Sequence, residues 1–158
     1  PEFHHFKGIT HSTMHPSEAF ITYTTEIGKK IMRYDIQQSK QMDDLLVLPG
    51  DLTDQNVAIA VNYLNDGRLL HSRGDRIEIL CEDGEVIQTI GLEGHGWGIA
   101  QISPSYDQEH FFTANIFTGV AMKIRISDGK ILGSIDTGYK APKRSLAGIA
   151  EYGSLKDS

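Results

Sequence analysis

The chain has 158 residues, 39% of them apolar, and a formal charge of −6 with both signs interspersed. That length supports one domain with its own core, and the absence of a clustered basic face argues against nucleic acid as a partner. No run of 18 apolar residues and no signal-peptide h-region occurs, so no membrane partner is expected; the single cysteine, Cys81, excludes an intramolecular disulfide and leaves the compartment open.

Sixteen glycines point to strands and tight turns rather than helices. Pro1-Glu2-Phe3 reads as residues left by a cloning site, before a first unit over 4–50. Its expected strands are Phe6–Ser12, Ala19–Thr24, Lys30–Ile36 and Asp43–Leu48, rich in β-branched and aromatic residues. Gln37 to Asp44 is the one stretch read as a helical turn. A second unit over 55–92 has strands at Val57–Tyr63, Arg68–Ser72, Arg76–Cys81 and Glu85–Ile90. A third, over 95–137, has Trp97–Ile102, His110–Asn115, Val120–Ile126 and Lys130–Ile135. Asp66-Gly67, Asp83-Gly84 and Asp128-Gly129 supply the positive-φ residues that tight hairpins need. An extra inner strand is expected at 146–152, from Leu146 to Tyr152.

Self-similarity ties the units together. Gly8-Ile9-Thr10, Ala58-Ile59-Ala60, Gly98-Ile99-Ala100 and Gly148-Ile149-Ala150 share one shape, with isoleucines 50, 40 and 50 residues apart. Phe20 to Gly28 lies over Phe111 to Gly119 at a constant offset of 91 without a gap. Four antiparallel strands every 40–50 residues describe the blades of a propeller. The expected fold class is all-β, a β-propeller-type half ring of three four-stranded antiparallel blades plus one extra inner strand.

The third unit carries a family resemblance. Gly98-Ile-Ala-Gln-Ile-Ser-Pro-Ser, Phe111-Phe-Thr-Ala-Asn115, Met122-Lys-Ile-Arg-Ile-Ser-Asp-Gly129 and Ile131-Leu-Gly-Ser-Ile135 together resemble a blade of the YVTN/NHL class. That superfamily includes the senescence-marker-protein and gluconolactonase propellers. The resemblance implies the fold; it leaves function open between hydrolases, lyases, redox enzymes and binding modules.

Three blades do not close a ring, which takes four to eight. An uncovered blade face is an apolar patch of a kind soluble monomers rarely show. Two copies about a two-fold axis would make six blades, so the expected partner is the chain itself, as a homodimer. A fragment whose other blades lie elsewhere is the rival.

Binding is expected on the loop face, where loops after the second and fourth strands emerge together, and a small molecule or a protein is the expected partner there. His95, between Gly94 and Gly96, and Trp97 stand out, with Trp97 open to two readings: a stacking platform or packing between blades. Asn115 holds a position where its side chain stabilises a turn or meets a ligand. Two residues past each repeat isoleucine stand His11, Val61, Gln101 and Glu151, positions expected to share a direction toward the axis, with Asn62 one step off. The gluconolactonase relatives hold a divalent metal near the axis with carboxylate and amide side chains, and no full ligand set matches here, so no metal and no cofactor are expected. His71 and His110 read as hydrogen-bonded, half-buried imidazoles, and Cys81 as a partly buried structural thiol. The leading function is a binding or interaction module. A metal- or general-base-dependent hydrolase or lyase of the gluconolactonase-like class is the alternative, and a structural fragment of a larger propeller the third reading.

Overall fold

The computed structural model describes residues 9, 11–25, 28–99 and 108–138, and every structural statement concerns these. Among them there is no helix and there are thirteen strands. Blade one runs β1 (His11–Met14), β2 (Phe20–Thr24), β3 (Lys30–Asp35) and an outer strand broken into β4 (Lys40–Gln41) and β5 (Leu46–Val47), both paired to β3. Blade two is β6 (Ala60–Tyr63), β7 (Leu69–Ser72), β8 (Arg76–Leu80) and β9 (Val86–Gly91). Blade three is β10 (Trp97–Ile99), β11 (His110–Asn115), β12 (Val120–Arg125) and β13 (Ile131–Asp136). Each sheet pairs consecutive strands antiparallel. The molecule is an all-β partial propeller.

Three local expectations need correction. Gln37 to Asp44 is no helical turn: 36–39 form the hairpin turn, and Lys40 and Gln41 pair back on Asp35 and Tyr34. The outer strand expected at Asp43–Leu48 is split: 42–45 carry no strand between β4 and β5, and there Arg33 Nε donates to Asp43 O and Lys30 pairs with Asp44. Blade one's inner strand runs to Met14, two residues beyond the expected Ser12. The expected extra strand from Leu146 to Tyr152 lies outside the described residues.

Cross-strand pairing also corrects the repeat register. Ile36 N–H donates to Ala19 O as Ile126 N–H donates to Glu109 O, and both pairs of equivalents are 90 residues apart (126−36, 109−19). The ladder agrees: Tyr23 stands opposite Met32, as Thr113 stands opposite Met122. The gapless offset of 91 is therefore wrong by one, and a one-residue slip turns every side chain to the other face of a sheet. The same parity aligns Thr24 with Ser72 and Ala114, and His11 with Ala60 and Gly98, the pairs that face each other across the inner and second strands. His11 and Val61 are not equivalent positions.

A shared device pins successive blades. Thr24 Oγ1 donates to Ile59 O across the first junction (2.7 Å), and Ser72 Oγ donates to Trp97 O across the second. Behind these pins lie two apolar clusters. Ile31 and Leu48 from blade one pack with Val61, Leu69 and Leu80 from blade two. Leu70, Ile77, Ile79 and Ile90 from blade two pack with Phe111, Ile124 and Ile126 from blade three. The turn of each following blade rests on the outer strand of the one before: a Cβ at Gly84 would meet Leu45 O at 2.6 Å, and one at Gly129 would meet Ile90 Cγ1 at 3.0 Å. Both glycines also have positive φ, 85° and 69°, so the turn and the close approach call for the same residue.

The loop face as candidate functional site

The loops joining second to third strands and blade to blade meet on one face. Gly74 O accepts from Trp97 N–H, and Leu92 N–H donates to Asp75 O, so the loop at 73–75 is tied to the connection at 92–96. Asn115 fastens the next loop: its Nδ2 donates to His95 O (2.8 Å), while its Oδ1 accepts from Phe117 N–H (2.9 Å) and Thr118 N–H (3.0 Å).

Under this face lies a charged network that the sequence reading missed. Arg73 donates through Nε and Nη2 to Asn56 Oδ1 (3.2 and 2.6 Å) and through Nη1 to Glu78 Oε1 (2.8 Å). Arg76 Nε donates to the same Glu78 oxygen (3.0 Å). Asn56 Nδ2 in turn holds the 49–51 loop through the Pro49 and Asp51 carbonyls. Opposite Glu78 stands His71, fully buried, its Nδ1 3.4 Å from Glu78 Oε2 without hydrogen-bond geometry. Among the described residues neither ring nitrogen of His71 nor Oε2 of Glu78 has a hydrogen-bond partner. The expected hydrogen-bonded, half-buried His71 is thus corrected: the fold encloses it between blades, against Val61 on the inner strand.

The electrostatics follow from that enclosure. Burial alone would raise the Glu78 carboxyl, but the His71 imidazole and the guanidiniums of Arg73 and Arg76 outweigh it and hold the group at about 2. Burial pushes the His71 imidazole down, overriding the carboxylate beside it. A carboxylate, a neutral imidazole and two guanidiniums make a structural tie that is charged only where it is paired. The positions equivalent to His71 and Glu78 hold Tyr23 and Met32 in blade one and Thr113 and Met122 in blade three. The fold therefore does not require charge there. One signal was readable in advance: Arg76-Ile77-Glu78-Ile79 alternates charged and apolar residues inside a strand whose both faces meet a neighbouring blade.

The predicted residues separate. His95 is on the surface, with Nε2 3.9 Å from Asp54 Oδ2 and its ring 5.3 Å from that of Phe117. Trp97 is 2% exposed and donates from Nε1 to Glu93 O, so it packs between blades and offers no platform to a ligand. Asn115 is buried in its turn contacts. Val61 belongs to the core between blades one and two, which contradicts the expected ring of axial positions. His11 and Asn62 are half-buried on inner strands. Gln101 and Glu151 lie outside the described residues. Cys81 is half-buried just past β8. Among the described residues no group of three or more His, Cys, Asp or Glu is placed to hold a metal ion.

No family model matches the chain, and no curated protein does. Solved structures match it well in shape. Hydrazine synthase from Kuenenia stuttgartiensis is similar at TM-score 0.62 and 17% identity, over 90% of this chain and 40% of that one. A streptogramin B lyase gives 0.61 and 16%, over 85% and 42%. U3-55K gives 0.61 and 11%, over 84% and 40%. These identities speak for fold alone, and the fold is that of a β-propeller. The chain spans about two fifths of the length of each structure it matches.

Proposed function

We propose that the chain is a β-propeller binding module, closed into a six-bladed ring by a second copy, that presents its loop face to a small molecule or a protein. The observation that carries the reading is a change of environment at one repeat position. Ile90 stands opposite Ile77, and Ile135 stands opposite Ala121, at the same place beside the same bulge. Ile90, covered by blade three, is 6% exposed, whereas Ile135 is 63% exposed. Blade three thus ends in a face built like a junction and left uncovered in its outer half, and three blades fall short of the four that close the smallest ring. On the loop face, His95, Asp54 and Phe117 are the groups a ligand would meet. Sedimentation equilibrium at micromolar concentration tests the closure. The expected mass is about twice the 17.5 kDa of one chain. A monomer would overturn it and leave the arc to be completed by other polypeptide.

The second reading, a hydrolase or lyase of the gluconolactonase-like class, draws on the family resemblance of the third unit and on a neighbour whose name is that of a lyase. Stoichiometric divalent metal in the purified protein, with lactone hydrolysis lost in Glu151→Ala, would establish it in place of the binding module.

A further inference from the structure

Resting on closure by a second copy, we infer that the closing seam is a head-to-tail repeat of the junction between blades two and three, with Ile135 of one copy packed beside Ile36 of the other. Inside the chain, Ile90 of blade two and Ile126 of blade three belong to one buried cluster. Each has an equivalent at an open end of the arc. Ile135 is the Ile90 of blade three, by its pairing opposite Ala121. Ile36 is the Ile126 of blade one, since each donates its N–H to the carbonyl of the residue just before the second strand.

The two equivalents have lost their cover together. Ile126 is 3% exposed and Ile36 is 41% exposed. Exposed apolar surface on these end faces is thus concentrated in the outer half. The inner half, with Tyr23 and Met32 on blade one and Ala114 and Ala121 on blade three, is already buried. An apolar pair split between opposite ends of the arc selects the occupant: by the pattern of the junction between blades two and three, the surface that fits beside Ile135 is the one around Ile36. A two-fold ring would contain this seam twice, each time joining unlike ends.

The seam also lacks the pin. Ala114 stands where Thr24 and Ser72 donate their hydroxyls to the next blade, so no such hydrogen bond is available there. The closing seam then depends on apolar contact in its outer half, and a charge placed there has no polar tie to compensate it.

A charge-swap series on the whole chain tests the pairing. Ile135→Glu and Ile36→Lys are compared with wild type, with each other mixed in equal amounts, and with the double variant, by sedimentation and by thermal melting. Both positions are exposed in the single chain, so the variants should melt as folded monomers. Each single variant is expected to weaken dimerisation by about tenfold or more, because an unpaired charge faces an isoleucine. The double variant, with Glu facing Lys in both seams, should recover most of that loss, and so should the mixture. Singles that dimerise as well as wild type would overturn this seam while leaving the dimer in place. Loss in Ile135→Glu alone would overturn it in favour of a symmetric contact through β13. Singles weakened without recovery in the double variant would show that the two residues do not meet. A monomeric wild type would instead remove the closure itself, a result distinct from all three.

Discussion

His71 and Glu78 stand side by side on neighbouring strands, buried between blades, with Glu78 Oε1 shared by two arginines and His71 Nδ1 3.4 Å from Oε2. Nothing at the equivalent positions of the other blades carries charge. The junction of blades one and two is therefore where acid should act on this fold.

The pH dependence has two windows of the same sign. His71 is held below its ordinary value of 6.5, so the unfolded chain takes up a proton there before the folded chain does. Its contribution is complete above 6.5 and declines as the pH falls below it. Glu78 is held at about 2 against an ordinary 4.5, so its contribution is complete above 4.5 and is lost as the pH falls toward 2. Melting temperature should be flat near neutrality, sag below 6.5 and fall again below 4.5. His71→Gln should flatten the upper window and narrow the lower one, which Arg73 and Arg76 then sustain without the imidazole. A melting curve equally steep below 6.5 in that variant would place the titration elsewhere.

Asn115 makes three hydrogen bonds that hold the 93–96 and 116–118 loops together. Asn115→Ala removes all three and leaves part-buried backbone groups to water, at about 1 kcal/mol. Hydrogen exchange should show Phe117 and Thr118 amides losing protection while Leu70 and Ile79 keep theirs. Because this loop presents His95, any ligand bound to the loop face should bind more weakly too.

Phe111 fills the core between blades two and three, fully buried. Phe111→Ala should cost about 3–5 kcal/mol in urea unfolding, the sum of lost burial and the cavity left behind. Ile131→Ala, on the exposed outer strand, should stay within about 0.5 kcal/mol of wild type. Comparable losses in both would mean that Ile131 itself is covered in solution.

The lesson for reading repeats lies in single residues. Ile9, Ile59 and Ile99 recur once per blade and so give the number of blades, because hairpin glycines and strand composition act locally and recur with the blade. They do not give the register: facing pairs put His11, Ala60 and Gly98 at one position, 49 and 38 apart (60−11, 98−60) where the isoleucines are 50 and 40 apart, because apolar patterns on both faces of a buried blade look alike when shifted. Only hydrogen-bond partners such as Ile36 with Ala19 and Ile126 with Glu109 resolve it. Trp97 likewise reads as surface or core until its indole is seen donating to Glu93 O inside the junction. The sequence alone determined an all-β chain of three hairpin-built blades, since strand propensity, glycine turns and period are local properties. Tertiary structure decided which face each residue turns to, that His71 and Glu78 meet, and that Ile36 and Ile135 are left bare while Ile126 and Ile90 are covered. Those outcomes depend on which sheet packs on which, and packing is set by contacts between residues far apart in the chain.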